Sequence, residues 1–461
     1  MIKSKLFLLI LLVAFLVIPE QFFAQSFYSD SAYIATNYSK IERNITMRDG
    51  KKLFTSIYIP IGSDEKFPIL MTRTPYGCDP YGEKNLRKYG LGPNKMLMRE
   101  KYIFVYQDVR GRYKSEGEFQ EMTPAIDIKK SNQDIDESSD TYDTVEWLLK
   151  NIDNNNGNVG LWGISYPGFY ALAALPDAHP AIKAVSPQAP VTDEFAGDDC
   201  NHNGAFFLMD NFNFYNYFDG RKNSDGEDYE MVYGGRYRDA YTFFLKMGGI
   251  ANSMKSEYFG KNAKIWNQVV ENDTYNAFWK ARNILPHLKN IKPAVMIVGG
   301  WFDCQDLYGP LKAYEAIKKQ SPNTKSYLVM GPWSHGAWAA ADWSRFGTYD
   351  FGSNMNAYYQ EIIETPFFNY YLKNKGEMLV QEANIFEVGS NKWPSYSSWP
   401  HAKAAKFKIY FDANARLTFD KPYVVAGFDE YLSDPNKPVP YVGGISSRTN
   451  SQYMIEDQRF A

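Results

Sequence analysis

The stretch NVGLWGISYPGFYALAAL, Asn158–Leu175, decides the fold that we expect for this chain of 461 residues. Its first six residues suit a buried strand, and its last eight form an apolar helical segment. The sharp turn between them, Gly163–Gly168, pushes Ser165 outward just before a helix N-terminus, a position that favours developing negative charge. Pro167 stands where a glycine usually follows such a serine. On its own, the stretch fits an ordinary strand-to-helix turn as well as it fits a nucleophile.

Five further segments predict buried strands of the same sheet. They are short runs of apolar, β-branched or aromatic residues: Pro68–Thr74, Tyr102–Asp108, Ala184–Pro187, Ala294–Gly299 and Ser326–Met330. Helical segments alternate with these runs, so we predict an α/β architecture with a mostly parallel, doubly wound sheet. A hairpin over Ile41–Pro60, with its turn at Asp49-Gly50, precedes the sheet.

A base and a carboxylate for Ser165 are expected on later strands. A serine hydroxyl is a poor nucleophile until a base removes its proton, and a carboxylate must orient the base. In chains with this kind of turn the three groups follow in the order Ser, Asp, His. The last two predicted strands run into Asp303 and His335 respectively, at the same sheet edge as Ser165. We therefore predict a triad of Ser165, Asp303 and His335.

Elimination supports His335, because the chain has only five histidines. His179 and His202 follow Ser165 too closely to match the order. His287 falls in a predicted helix, and His401 falls in the β-rich tail.

Composition and pattern predict several folding units. Apolar residues make up 44%, and the net charge of −3 gives no electrostatic case for nucleic-acid binding. From about Cys200 to Pro286 the strand–helix alternation stops, which predicts an insertion over the carboxyl edge of the sheet. After about Glu382 short strands alternate with turns, as in a β-sandwich, and the chain stops early. The predicted units are 1–25, a signal peptide; 26–200 and 289–380, the α/β core; 201–288, a helical cap; and 381–461, an incomplete β-sandwich.

The N-terminus predicts export. Lys3 and Lys5 precede an apolar run, Leu6–Ile18, and the small residue Ala24 lies near a plausible cleavage site. An uncleaved membrane anchor is the alternative, but 13 residues are few for a full span. We predict a secreted or periplasmic protein without stable membrane association after cleavage.

Five motifs in order resemble one family of serine hydrolases. They are Arg73-Thr74-Pro75-Tyr76, Gln107-Asp108-Val109-Arg110-Gly111-Arg112, the turn around Ser165-Tyr166, Trp301-Phe302-Asp303 and Gly331-Pro332-Trp333-Ser334-His335. Together they resemble the family of cocaine esterase, X-Pro dipeptidyl-peptidase and α-amino-acid ester hydrolases, which includes glutaryl-7-aminocephalosporanic acid acylase-like proteins. The resemblance implies an α/β-hydrolase fold, a helical cap inserted after the nucleophile and a C-terminal jelly roll, truncated here.

The resemblance also implies binding groups around the triad. The backbone N–H of Tyr166 and the hydroxyl of Tyr76 would form the oxyanion hole, where one donor contributes roughly 3 kcal/mol. Asp199 and Asp306 fall on two positions of the carboxylate cluster that holds a substrate α-ammonium group in α-amino-acid ester hydrolases. Gln305 stands at a third, normally acidic position, which puts the selectivity for amines in doubt.

These observations predict an exported serine hydrolase that cleaves ester or amide acyl bonds through an acyl-enzyme. An α-amino-acid ester hydrolase or acylase acting on small molecules or short peptides is favoured. An X-Pro dipeptidyl-peptidase is the alternative within the class, and a catalytically dead binding protein is the alternative outside it.

We expect no cofactor and no metal. Asp134, Asp136 and Asp140 lack the glycine and closing glutamate of a calcium loop, so we interpret them as a solvated turn. The oligomeric state is left open.

Overall fold

The computed structural model describes residues 30–62, 64–223, 228–423, 427–428, 430–440 and 442–457. The predicted signal peptide over 1–25 lies outside these residues. Within them, no helix combines the length and the apolar character that crossing a membrane requires.

The strands and helices alternate through most of the chain. The strands are β1 Tyr38–Thr46, β2 Lys52–Pro60, β3 Phe67–Thr74, β4 Ile103–Asp108, β5 Asn155–Ile164, β6 Ile182–Gln188, β7 Asn201–His202, β8 Ala205–Phe206, β9 Arg221–Lys222, β10 Tyr229–Glu230, β11 Ala294–Gly300, β12 Ser326–Gly331, β13 Arg345–Phe346, β14 Tyr349–Asp350, β15 Ala383–Ile385, β16 Ser395–Tyr396, β17 Tyr410–Asp412 and β18 Arg416–Thr418.

The helices are α1 30–37, α2 Lys95–Arg99, α3 Glu137–Asn151, α4 Tyr166–Ala173, α5 Leu208–Phe218, α6 Ala240–Met247, α7 Lys264–Glu271, α8 Ala277–Arg282, α9 Tyr308–Gln320, α10 Met355–Tyr358 and α11 Thr365–Lys373. A π-helical turn, Tyr359–Glu364, joins the last two. Short 3₁₀ turns lie at Ile250–Met254, Gly260–Asn262, Leu285–His287, Ala337–Ala339 and Ser451–Ile455.

One ten-stranded sheet organises the core. Its order is β1-β2-β4-β3-β5-β6-β11-β12-β15-β16. The strands from β4 to β15 in this order pair in parallel, and β2 is antiparallel to both of its neighbours. The predicted hairpin and the mostly parallel sheet are therefore confirmed. Because parallel strands point the same way, β3, β5, β11 and β12 all end at one edge of the sheet.

Helices cover both faces of this sheet. One buried cluster contains side chains of α3, α4 and α9, such as Leu148, Phe169 and Ile317. The cluster on the other face contains Leu97 of α2 and Phe367 of α11. β3 and β11 are buried along their whole length, and burial on both faces explains the apolar runs in the sequence.

The insertion between β6 and β11 contains α5 to α8 and two small hairpins. It has an apolar cluster of its own, in which Phe212 of α5 and Trp266 of α7 are almost fully buried. The many aromatic residues of this segment therefore pack against one another. The insertion also contacts the core, because Arg112 donates to the carbonyl of Phe218 at 3.3 Å.

The C-terminal side of the core extends further than predicted. β15 pairs with β12 and β16 pairs with β15, so the central sheet continues beyond the predicted boundary at 380/381. The boundary is wrong for a physical reason: without β15, the edge of β12 would expose unpaired backbone groups. Beyond 400, the described residues form the hairpin β17–β18 and a 3₁₀ turn. The β-sandwich itself stays a prediction.

The aspartates that we interpreted as a solvated turn are partly structural. Asp134 accepts from backbone amides in an exposed loop, as expected. Asp136, however, is the buried N-cap of α3 and forms a reciprocal capping box with Ser139. Asp140 is buried as well and pairs with Arg110 at 2.7 Å. The interpretation was wrong for these two residues because it ignored their arginine and backbone partners.

A substitution at Arg73 tests how much the buried ion pairs contribute to the free energy of unfolding. Its guanidinium is 3% exposed and lies 2.6 Å from the Glu137 carboxylate and 3.6 Å from that of Asp140. Arg73→Ala should lower the free energy of unfolding by about 3–5 kcal/mol, because it leaves a buried carboxylate without a cation. Urea denaturation measures the change. Arg345→Ala breaks an exposed pair with Asp350 and is the matched control. Equal stabilities of the two variants would contradict the expectation.

Candidate active site

Ser165 occupies the tip of a tight turn between β5 and α4. Its φ of 66° is left-handed, which a non-glycine residue adopts only under constraint. The Ser165 amide donates to the Gln188 carbonyl at 2.9 Å, which fixes the turn to β6. Gly163 and Gly168 allow the close approach: a Cβ on Gly163 would lie 2.2 Å from the Pro167 carbonyl oxygen, and one on Gly168 would lie 2.6 Å from that of Gln188. Pro167 fits because the first helical turn needs no N–H there.

Asp303 and His335 are brought together by the loops after β11 and β12. The two loops are bonded to each other, since the amides of Trp301 and Phe302 donate to the carbonyls of Gly331 and Trp333 at 2.9 and 3.0 Å. His335 Nδ1 donates to the Asp303 carboxylate, 2.9 Å from Oδ2 and 3.1 Å from Oδ1. This bond leaves Nε2 as the nitrogen that can take a proton.

The loop of His335 lies against the turn of Ser165. Gly336 packs on Ile164, the residue before the serine: a Cβ built on Gly336 would be 3.5 Å from Ile164 Cγ2. Trp338 Nε1 donates to the Gln188 side chain at 2.7 Å, and the backbone of the same Gln188 holds the Ser165 amide. The structure thus places the three residues of the predicted triad at one edge of the sheet.

The charges of Asp303 and His335 support each other. Burial alone would raise the pKa of Asp303, but the His335 ring outweighs it, and the pKa is lowered. Burial alone would lower the pKa of His335, but the charge and hydrogen bond of Asp303 outweigh it, and the pKa is raised. The pair therefore stabilises an imidazolium, the form that arises when the ring accepts a proton.

Tyr76 follows β3 and reaches the same edge. Two residues of one motif, Gln107–Arg112, hold its loop: Arg112 Nε donates to the Pro75 carbonyl at 3.1 Å, and Asp108 accepts from the Cys78 amide at 2.8 Å. The residue as a whole is 38% exposed. Burial of the hydroxyl, together with the charges of Asp199 and Asp306, raises its pKa. Tyr76 therefore stays protonated and able to donate a hydrogen bond.

Tyr166 presents its backbone rather than its side chain. It is the first residue of α4, so its N–H has no acceptor within the helix. Its ring is buried, and its hydroxyl accepts from the Met122 amide at 2.8 Å. The side chain thus anchors the helix, while the amide lies next to Ser165 in the position typical of an oxyanion donor.

Asp199, Gln305 and Asp306 lie beside the triad. The Gln305 and Asp306 amides both donate to Asp303 Oδ1, at 2.9 and 3.0 Å, and the Asp199 amide donates to the Gln305 carbonyl at 3.2 Å. The Asp306 carboxylate is fully buried, 3.8 Å from His335 Nδ1, and neither of its oxygens has a hydrogen-bond partner among the described residues. Burial and the neighbouring carboxylates raise the pKa values of Asp199 and Asp306.

Sequence reasoning missed Asp210, a third carboxylate beside the triad. It lies in the first turn of α5, in the inserted segment, and accepts from Gln305 Nε2 at 3.0 Å. A lone acid in the first turn of a helix is common because it interacts favourably with the helix dipole, so the pattern carried no specific signal.

Two other histidines have structural partners away from the site. His179 Nε2 lies 2.9 Å from Glu146, and His287 Nδ1 lies 2.6 Å from Asp127. Neither of them contacts the residues around Ser165 through these bonds.

A serine in a strained turn, beside a histidine held by a buried aspartate at the carboxyl edge of a parallel sheet, defines a serine hydrolase of the α/β-hydrolase fold. The family model described as X-Pro dipeptidyl-peptidase (S15 family) matches residues 49–337. The chain belongs to this family, and the resemblance seen in its motifs is confirmed.

Individual relatives agree with this assignment. Cocaine esterase of Rhodococcus sp. (strain MB1 Bresler) is 25% identical over 440 residues, covering 90% of this chain and 71% of the esterase. An aminopeptidase from the marine sediment archaeon Thaumarchaeota archaeon is 32% identical with a TM-score of 0.81, covering 91% of this chain and 68% of that one. An α-amino acid ester hydrolase is also 32% identical, with a TM-score of 0.80 and coverages of 92% and 70%.

The effect of Asp303 on His335 can be measured directly. Asp303→Asn removes the charge that raises the pKa of His335, so burial should dominate and the pKa should fall. We expect the ring of the wild-type protein to titrate above the usual value of about 6.5 and the ring of the variant to titrate lower. NMR of the imidazole protons reports both values, with His335→Gln assigning the resonance. An unchanged pKa in Asp303→Asn would contradict the pairing.

Proposed function

We propose that Ser165, His335 and Asp303 are the catalytic triad of an exported hydrolase that cleaves ester or amide bonds of acyl groups carrying a free α-amine. The observation that carries the amine specificity is the Asp306 carboxylate, which is fully buried 3.8 Å from His335 and unpartnered among the described residues. A buried carboxylate without a partner is costly unless a ligand supplies a cation.

The reaction begins with Ser165. His335 Nε2 takes the hydroxyl proton as the oxygen attacks the acyl carbonyl, and Asp303 stabilises the imidazolium that results. The alcohol or amine then leaves with the proton from His335. Water, deprotonated by the same ring, hydrolyses the acyl-enzyme and restores Ser165. The raised pKa of His335 means that the ring holds a proton to higher pH, so kcat/KM should rise with pH through that pKa.

Two donors stabilise the tetrahedral oxyanion. The Tyr166 amide lies at the N-terminus of α4, where the partial positive charge of the helix adds to its effect. The Tyr76 hydroxyl is the second donor, and its raised pKa keeps the proton in place while negative charge develops nearby. The loop that carries Tyr76 depends on Arg112, which ties the Pro75 carbonyl to the inserted segment.

The carboxylates Asp199 and Asp306 bind the substrate α-ammonium group. Their pKa values are raised by burial and by neighbouring carboxylates, which favours the protonated forms when no cation is close. A bound ammonium would reverse this effect, because an opposite charge close to a carboxylate lowers its pKa.

The substrate class is an amino-acid ester or a related acyl compound. Support comes from two similar structures, which are named as an α-amino acid ester hydrolase and an aminopeptidase. An X-Pro dipeptidyl-peptidase is the second candidate, since the matching family model bears that name and such an enzyme also binds a free amine. A catalytically dead binding protein is disfavoured by the paired Asp303 and His335.

The charged and apolar pattern of residues 1–25 supports export to the periplasm or the medium.

Kinetics on two chromogenic substrates test this proposal. Phenylalanine p-nitrophenyl ester should be hydrolysed with a higher kcat/KM than alanyl-proline p-nitroanilide. His335→Gln should lower kcat for the ester by roughly 10⁴-fold or more, because it removes the base. His287→Gln removes a histidine paired with Asp127 elsewhere and is the matched control. A preference for the anilide would favour the dipeptidyl-peptidase, and full activity of His335→Gln would refute the triad.

A further inference from the structure

Asp210 connects the inserted segment to the triad. One of its carboxylate oxygens accepts from Gln305 Nε2 at 3.0 Å, and the other accepts from the hydroxyl of Thr449. Gln305 in turn is next to Asp306 and accepts the Asp199 amide on its backbone carbonyl. Asp210 therefore stands at the end of a short chain of contacts that leads to both carboxylates of the proposed amine site.

The charge around these residues is unbalanced. Four carboxylates, Asp199, Asp210, Asp303 and Asp306, influence one another, and Asp210 raises the pKa values of the other amine-site carboxylates and of His335. Among the described residues, no Lys or Arg side chain forms an ion pair with Asp199, Asp210 or Asp306. The basic side chain that ion-pairs with Asp306 is His335, whose Nδ1 is already bonded to Asp303.

Other cations near Asp210 do not neutralise it. Arg236 and Arg448 border, together with Asp210, a cavity of about 930 Å³ that is lined by the inserted segment and by residues 447–449, but no ion pair links either arginine to Asp210 in the part of the chain described. The described residues also contain no group of three or more His, Cys, Asp or Glu side chains that could hold a metal ion. The proposed function supplies a cation for these carboxylates, the α-ammonium group of the substrate.

We propose that Asp210 is a specificity-determining residue that supplies the third carboxylate of the amine site, and that Gln305 holds it in place. This inference rests on the proposed function of Asp199 and Asp306. A primary ammonium has three N–H donors, and Asp199, Asp210 and Asp306 offer three charged acceptors. The charge that is missing at position 305 is thus contributed by α5 of the inserted segment.

The pairing of Gln305 with Asp210 has a physical reason. An amide can donate a hydrogen bond to a carboxylate, whereas a glutamate at 305 would place two negative charges in contact and raise one of their pKa values. A neutral residue at 305 and an acid at 210 are therefore complementary. Moving the charge from one position to the other should preserve the function, because the side chains of residues 305 and 210 are in direct contact.

A matched pair of substrates isolates this role. Phenylalanine methyl ester and 3-phenylpropionic acid methyl ester differ only in the α-amine, so the ratio of their kcat/KM values measures amine selectivity. The wild-type enzyme should prefer the amino ester. Asp210→Asn should lower the ratio by roughly tenfold or more, mainly through KM, because a charge-assisted hydrogen bond is lost. The double variant Asp210→Asn with Gln305→Glu should recover most of the ratio, since the charge returns at position 305.

Controls separate this role from a structural one. Thr449→Val removes the hydrogen bond to the other oxygen of Asp210 but leaves both its charge and its bond to Gln305, which is the contact that leads to Asp306, so the ratio should stay close to that of the wild type. Gln305→Leu removes only the tether and should lower the ratio, which keeps a test available if Asp210→Asn melts at a much lower temperature.

The outcomes distinguish the two proposals. An unchanged ratio in Asp210→Asn or in Gln305→Leu, with a wild-type enzyme that prefers the amino ester, would overturn the role of Asp210 and leave the amine site of Asp199 and Asp306 standing. Failure of the double variant to recover would also overturn it. A wild-type enzyme that hydrolyses both esters equally would overturn the amine site itself, and the role of Asp210 with it.

Discussion

The left-handed backbone of Ser165 is the constraint on which the site depends. A residue with a side chain keeps φ at 66° only because β5, α4 and β6 close around it and because Gly163 and Gly168 leave room for that closure. The same contacts fix Gln188, whose backbone holds the serine amide and whose side chain holds Trp338 of the histidine loop. The strain at one residue is thus compensated by the packing that also positions the base.

Buried charges hold the surrounding loops. Arg73 and Arg110 form ion pairs with carboxylates in the first turn of α3. Arg112 donates both to the Pro75 carbonyl and to the Phe218 carbonyl of the inserted segment. These arginines belong to the motifs that identified the family, yet none of them performs the proposed chemistry. Arg112 holds the Tyr76 loop against the inserted segment, and Arg73 and Arg110 hold α3 against the core. Burying these charges costs free energy because they lose their hydration, and the ion pairs with fixed partners offset that cost.

The sequence predicted the central sheet well because its strands are buried on both faces and therefore read as continuous apolar runs. It predicted the convergence of Asp303 and His335 because each residue directly follows such a strand. It missed the extension of the sheet by β15, a strand of only three residues whose formation depends on the free edge of β12. It also missed Asp210, because a side chain that approaches the triad from an inserted helix leaves no local pattern.

The central claim is that Ser165 is activated by His335, which Asp303 orients. A fluorophosphonate probe reacts irreversibly with an activated serine, and mass spectrometry of the digested protein locates the adduct. The account predicts one adduct per chain, on Ser165, in folded enzyme that has lost its esterase activity. Loss of activity with the adduct on a different residue, or folded and active protein that acquires no adduct on Ser165, would contradict it.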